Sequence, residues 1–361
     1  MPTIWCAISG HGYGHAAQVV PVLNELGKRL PNLKAILRTT VPSTFFRDRL
    51  TIAWDHQSVQ QDVGCIQKGP LEIDVPATWA AHVQFHAEWK RRMAEEVAAI
   101  RAAAPPVILA DTPYLAASAG KEAGIPVVAL ANFTWIDALT PFAEAQQPHH
   151  KAILEAMQDS YRHANLALRI APGLPLTAFF SKVVDIGPIA ETRNSHRDDI
   201  RKHLRVNDSE RLVLLAFGGI ALNSLPWEAM GRLQGYHFIV SSPPDRPSPR
   251  IHVASTLSHS FNTLMASVDL VMTKPGYGTI VEAVTLGVPV VYVRRYNFAD
   301  EAPLVDFLHR YGCGHELNLK DFQAGNWQPA LDAIRCTSAS VSPPSPTGAS
   351  DAARFLMPFL R

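Results

Sequence analysis

No cysteine motif organises this sequence. Its four cysteines, Cys6, Cys65, Cys313 and Cys336, stand at long spacings without any C-x-x-C. That pattern signals neither a zinc site nor a disulfide framework, and reduced thiols are the expectation. No charge of one sign dominates either, since 33 Lys and Arg face 32 Asp and Glu for a formal net charge of +1. A general nucleic-acid binder needs a basic excess or stripe, so no nucleic-acid partner is expected. Long apolar runs are missing. Two uncharged and largely apolar stretches, residues 123–136 and 212–227, fall short of the ~20 residues of a spanning helix, and Gly218-Gly219 interrupts the second. The first residues carry no basic region ahead of their short apolar run, so no signal peptide is expected. A cytoplasmic protein without a transmembrane segment is the reading, with contact at a membrane surface left open.

Several catalytic signatures are also missing. G-x-x-x-x-G-K-[ST] and G-x-S-x-G do not occur, and no D-x-D pair is present to hold a metal on a diphosphate. His82 and His86 are four apart on a predicted helix, but no His-Glu-x-x-His forms around them. No metal and no tightly held cofactor are expected.

What is present is a chain of 361 residues, 47% apolar and 18% charged, long enough for two folded domains. Two stretches alternate strand and helix signals. The first predicts strands over residues 3–9, 33–38, 107–110, 127–130 and 166–170, and helices over 16–30, 79–101, 115–123 and 151–164. The second predicts strands over 211–217, 237–240, 251–254, 270–272 and 289–293, and helices over 227–233, 260–266, 279–286 and 303–311. Such alternation means parallel sheets covered on both faces. The expectation is an α/β protein of two doubly wound domains facing a cleft and joined near residues 172–188. The first spans 1–185 and the second 186–347. Residues 338–350 are rich in Ser and Pro and read as a linker, and 351–360 form a short apolar helix that must dock on a domain.

Five constellations fall at predicted strand ends, where open α/β sheets bind ligands. Gly10-His11-Gly12-Tyr13-Gly14-His15 follows the first strand. Its glycines do not form G-x-G-x-x-G, and Arg38-Thr39-Thr40 stands where a ribose-binding acid would be, so a dinucleotide site is excluded. The loop is either a tight turn with two surface histidines or a catalytic imidazole site. Lys274-Pro275-Gly276-Tyr277-Gly278-Thr279 leads into Glu282. Free N–H groups of 279–281 would meet a diphosphate and Glu282, in the first helical turn, would reach a vicinal diol, unless Thr279 and Glu282 form a capping box. Gly218-Gly219 suits a phosphate-facing turn. Asp111 ends one strand, and Asn132-Phe133-Thr134-Trp135 follows the next. Asp111 would orient a histidine or act as a base, and Trp135 would stack on a sugar, with a helix cap and ordinary core as the plainer readings. Arg294-Arg295 and Asp300-Glu301 follow a further strand. The arginines would meet phosphate and the acids sugar hydroxyls, or the segment is a solvated loop.

Taken together, these residues resemble the N-terminal half of plant arabinokinases and free-standing bacterial glycosyltransferase-like proteins. More distantly the chain is similar to the peptidoglycan N-acetylglucosaminyltransferase family, all of the GT-B fold. The resemblance implies a second domain that binds a nucleotide-sugar, UDP being the usual nucleotide. Gly218, Gly219, Gly276, Gly278 and Thr279 would face its diphosphate and Glu282 its ribose. Arg294, Asp300, Glu301, Asn132 and Trp135 would line the remaining substrate site, although the transferases often carry Gln at the second acidic position. His15 matches the histidine of the family's first Gly loop; from the residues themselves Asp111 is the further catalytic candidate, as base or as the partner that orients His15, and His11 is a third unless it only fixes the loop. The terminal helix would cross back onto the first domain. One departure is plain: the family's Gly-His-Ala-[ST]-Arg reads Gly14-His15-Ala16-Ala17-Gln18. The implied function is metal-independent, inverting transfer from a nucleotide-sugar co-substrate to an unknown acceptor. A nucleotide-sugar hydrolase or epimerase of the same fold is the alternative, as is a binding module without catalysis.

Overall fold

The computed structural model describes residues 2–144, 146–218, 225–244, 246–334 and 341–361. Two parallel sheets form its frame. The first contains β1 (Thr3–Ile8), β2 (Lys34–Arg38) and β3 (Ala53–Gln57). A small antiparallel hairpin, β4 (Gln67–Gly69) and β5 (Glu72–Ile73), precedes β6 (Ile108–Asp111), β7 (Val127–Ala131), β8 (Leu166–Ile170) and β9 (Val183–Ile186). The second contains β10 (Arg211–Ala216), β11 (Tyr236–Val240), β12 (Ile251–Val253), β13 (Leu270–Thr273), β14 (Val290–Tyr292) and β15 (Gly314–Glu316). Their orders are β3-β2-β1-β6-β7-β8-β9 and β12-β11-β10-β13-β14-β15. Both sheets therefore reverse winding direction once, between β1 and β6 and between β10 and β13.

Burial explains the strands. All five residues of β7, Val-Val-Ala-Leu-Ala, are buried, as helices on both faces require. The helix Gly14–Arg29 buries Val19, Val22, Leu23 and Leu26 on one stripe. It packs against the helix Tyr277–Leu286 of the second half and against the terminal helix Gly348–Leu360. Ala352, Ala353, Leu356 and Leu360 of that terminal helix are buried in the same core cluster as β1 and β2. Gly348 N–H donates to Pro188 O over 2.9 Å, fixing the return of the chain. The expected crossing helix is thus observed, longer by three residues than the sequence pattern showed.

Three expectations are corrected. The single helix at 79–101 is two, Val75–Ala87 and Trp89–Ala103, broken at Glu88. The expected joint at 172–188 contains β9, which pairs with β8, so the chain leaves the first sheet only after Ile186. Its short, half-exposed strand carries no apolar run for a pattern to find. Finally, Cys313 is disulfide-bonded, whereas Cys6 and Cys65 are free and buried. Distance along the sequence does not report distance in space. Among the described residues no helix is long and apolar enough to cross a membrane.

Candidate functional site

Ligands of open α/β sheets sit at the carboxyl ends of the strands beside the reversal of strand order. Each of the two reversals here carries one of the Gly turns. At the first, Ile8 of β1 stands beside Asp111 of β6. Gly12 turns with φ +74°, a conformation open to glycine, and the chain enters the helix at Gly14. His15, in the first turn, is 6% exposed. Its Nδ1 lies 2.8 Å from Asp111 Oδ1 and 3.0 Å from Thr112 Oγ1. Thr112 Oγ1 donates to the same carboxylate oxygen at 3.1 Å. Asp111 does not cap the next helix, whose N-cap is Pro113. The acceptor carboxylate assigns the imidazole proton to Nδ1, leaving Nε2 unprotonated and without a partner among the described residues. Thr112 itself is held at φ +70°, a strained backbone for a β-branched residue, with Tyr161 Oη donating to its carbonyl at 2.9 Å.

Burial alone would lower the pKa of His15. The hydrogen bond and charge of Asp111, with the charges of Asp62 and Asp300, outweigh it and raise the value above 6.5. Burial likewise raises the carboxyl pKa of Asp111. His11 differs: burial, with His15, Lys274 and Arg295 nearby, pushes its pKa down to about 3. Its Nε2 is 2.9 Å from Gln67 Nε2, so it is a neutral imidazole that holds the β4–β5 hairpin against the Gly loop. His82 and His86, four residues apart, make separate contacts, His82 Nε2 on Gly64 O at 2.9 Å and His86 Nε2 on Tyr114 Oη at 3.1 Å.

Asn132 and Trp135 are buried rather than open to a sugar. Trp135 is 1% exposed and packs its ring 5.7 Å from that of His15 and 5.2 Å from that of His11. Its Nε1 donates to Asp62 Oδ2 at 2.7 Å. The stacking platform expected there is corrected: the indole is part of the wall that fixes the histidines. Asn132 Oδ1 accepts from Gln18 Nε2 at 3.2 Å, so the glutamine that departs from the family's arginine braces this wall.

At the second reversal, Ala216 of β10 stands beside Thr273 of β13. Gly218 turns with φ +85°. Gly219 lies outside the described residues. The helix Tyr277–Leu286 opens on Gly276 as N-cap, with no side-chain cap. Thr279 is therefore its third residue and the Thr279–Glu282 capping box does not form. Glu282 sits in the second turn, a correction to its expected place in the first. Ile280 N–H already donates to Gly276 O at 3.0 Å, so the free N–H groups are those of Tyr277, Gly278 and Thr279, not 279–281. Lys274 lies between the two turns. A Cβ built on Gly218 would be 3.7 Å from its Cε, and one on Gly276 would be 3.7 Å from its Nζ. Among the described residues its ammonium has no hydrogen-bond or ion-pair partner. Burial, then Arg295, pushes its pKa down to about 7. A helix N-terminus, two Gly turns and an unpaired lysine make an anion cradle.

The remaining acids divide. Glu282 is 8% exposed and burial pushes its pKa up to about 7. Its Oε1 accepts from Asn262 Nδ2 at 2.9 Å and from Glu191 N–H at 3.4 Å. Asp300 is half-buried, and its charge reaches His15 and Cys65 of the first half. Glu301 is 0% exposed. Its carboxylate accepts from Arg295 N–H at 3.0 Å and pairs with the Arg295 guanidinium, which also donates to Pro275 O at 3.0 Å and covers the Phe298 ring. The expected sugar contact of Glu301 is corrected, because both partners are buried and paired. Arg294 lies over Tyr296 at 4.5 Å and 3.9 Å from Glu301, so it braces the same loop. Sequence reasoning missed Asp62, Thr112 and the role of Lys274. Only Lys274 carried a readable signal, as a cation at a strand end directly before a Gly turn.

No family model matches the chain. It is similar to L-arabinokinase of Arabidopsis thaliana, 27% identical over 337 residues, and this covers 90% of the chain but only 31% of that protein. Among solved structures it is similar to UGT2 of Phytolacca americana, solved with UDP-2-fluoro-glucose and pterostilbene, over 99% of this chain and 94% of that one, with TM-score 0.61 and 15% identity. The calicheamicin glycosyltransferase CalG4 matches over 99% and 95%, with TM-score 0.61 and 14% identity. MurG of Acinetobacter baumannii matches over 99% and 100%, with TM-score 0.57 and 14% identity. The chain has the GT-B fold, and its resemblance to arabinokinases extends over most of its length.

Proposed function

We propose that the chain is a glycosyltransferase that moves a sugar from a nucleoside diphosphate, UDP in the first instance, to a hydroxyl acceptor. The observation that carries this reading is the pairing of the His15–Asp111 dyad with the anion cradle at Lys274. His15 Nε2 takes the acceptor proton while the hydroxyl oxygen attacks the anomeric carbon. The bond from that carbon to the diphosphate oxygen breaks, and a single displacement of this kind inverts the centre. Lys274 and the N–H groups of Tyr277, Gly278 and Thr279 then stabilise the leaving diphosphate. Asp300 faces the transferred sugar and Glu282 the ribose. Co-crystallised UDP-sugars in structures sharing this fold support the choice of nucleotide.

Calorimetry with UDP tests the cradle. Lys274→Met removes a cationic partner of the diphosphate and is expected to weaken UDP by on the order of 1.5–3 kcal/mol, roughly ten- to 150-fold, and Glu282→Ala removes a hydrogen-bond acceptor of the ribose and is expected to weaken it by about 0.5–1.5 kcal/mol. Unchanged affinity in folded variants contradicts the assignment. In this reading Lys274 and the helix N–H groups do the work of a metal on the diphosphate, so donor binding and turnover are expected to survive excess EDTA. Loss of turnover that manganese or magnesium restores contradicts that expectation. Product analysis separates the hydrolase alternative, in which water replaces the acceptor and free sugar accumulates without one.

A further inference from the structure

Three loops meet at one carboxylate that the mechanism above does not use. Asp62 lies between β3 and the β4–β5 hairpin and is 4% exposed. Ser9 Oγ donates to its Oδ1 at 3.0 Å, and Trp135 Nε1 donates to its Oδ2 at 2.7 Å. Ser9 Oγ in turn accepts from His11 N–H at 3.2 Å, at the start of the Gly loop. Asp62 therefore ties the loop after β1 to the loop after β7. Between these two loops sits His15, flanked by the Trp135 ring at 5.7 Å and the Phe133 ring at 5.9 Å. On its other side Asp111 and Thr112 bind Nδ1.

We propose that Asp62 is a positioning residue for the transfer reaction: it locks Trp135 and the Gly loop around His15 and supplies a second negative charge, beyond Asp111, that favours the imidazolium formed when the acceptor is deprotonated. This rests on the reading of His15 as the base. The groups facing His15 are Asp111 from the end of β6, Asp62 from the loop after β3, Asp300 from the second half, and neutral His11 from its own loop. Removing Asp111 would remove both a bond and a charge, whereas Asp62 acts on the imidazole through Trp135 and through space. Burial pushes the Asp62 carboxyl up to about 6, against the hydrogen bonds of Trp135 and Ser9 that favour its ionised form. Both of its oxygens accept from donors, Ser9 Oγ–H and Trp135 Nε1–H, an arrangement that favours the carboxylate.

The test is an NMR titration of the His15 imidazole in the full chain without substrate, in the wild type and in Asp62→Asn. The expected result is a downward shift of the His15 midpoint by roughly 0.5–1 unit, with the Trp135 indole N–H resonance displaced because its acceptor has changed. Asp62→Glu is expected to restore most of the shift. In steady-state assays Asp62→Asn is expected to lower kcat roughly tenfold, leave the donor KM unchanged and move the acid limb of the pH profile downward with the His15 midpoint. A folded Asp62→Asn protein with an unmoved His15 midpoint overturns the proposal. If that variant does not fold, Trp135→Phe keeps the Asp62 charge and breaks the tie. A shifted His15 titration midpoint in it supports the proposal, and an unmoved midpoint overturns it. The titration needs no turnover, so a failure to detect glycosyl transfer would leave its outcome standing.

Discussion

His15→Ala is expected to reduce turnover by roughly 10²–10⁴, the range for loss of a positioned general base, while leaving donor affinity nearly unchanged. The separation follows from placement. His15 stands at the β1–β6 reversal with Asp111, whereas the anion cradle stands at the β10–β13 reversal on other strands. The pH profile carries a second signature. A base must be neutral to accept a proton, and Asp111, Asp62 and Asp300 raise the His15 pKa above 6.5 despite burial. Turnover is therefore expected to rise with pH through a midpoint above 6.5, because the protonated form that predominates at lower pH cannot act. Asp111→Asn removes the charge that fixes the Nδ1–H tautomer and is expected to lower that midpoint as well as the rate. Wild-type turnover in His15→Ala with a dead Asp111→Asn would instead make the carboxylate the base.

Glu301→Ala is expected to cost stability rather than affinity, by about 3–5 kcal/mol, the range for leaving one member of a buried ion pair without its partner. The side chains of Arg295 and Glu301 are 3% and 1% exposed. Without Glu301 the guanidinium keeps, among the described residues, Pro275 O and the face of Phe298. Phe298 itself packs against the core of the first half, so the loop that loosens is one that bridges the two halves. Urea unfolding measures the loss. Asp300→Ala, one residue away on a side chain without a hydrogen-bond partner among the described residues, is expected to leave the urea midpoint close to wild type and to affect turnover instead. Equal stability of Glu301→Ala and Asp300→Ala would contradict this division of roles.

These assignments show where sequence is sufficient. The Gly turns at 10–14 and 276–278 are legible because strand, turn and helix follow one another within a dozen residues, and so are the two doubly wound domains, while the GT-B frame comes from the family resemblance. The strands β1, β7 and β10 were legible because both-face burial leaves an unbroken apolar run. Asp62 was not, since its partners Ser9 and Trp135 are 53 and 73 residues away and its own loop has no periodic pattern. Thr112 looks ordinary in sequence, and only its backbone angle marks it. Glu301 was read as open because charged residues after a strand usually are; its burial depends on how the loop folds Arg295 back over it. The helix N-terminus was misplaced for a local reason. Thr279 and Glu282 have the spacing of a capping box, but Gly276 already starts the helix three residues earlier.

The central claim, glycosyl transfer from a nucleoside diphosphate, is tested most directly by following anomeric protons by NMR. UDP-sugars are incubated with the protein, EDTA and a panel of hydroxyl acceptors. The account predicts a new anomeric signal of configuration opposite to the donor, UDP released in equal amount, and neither change with His15→Ala. Free sugar released without an acceptor, or a product that retains the donor configuration, would contradict it.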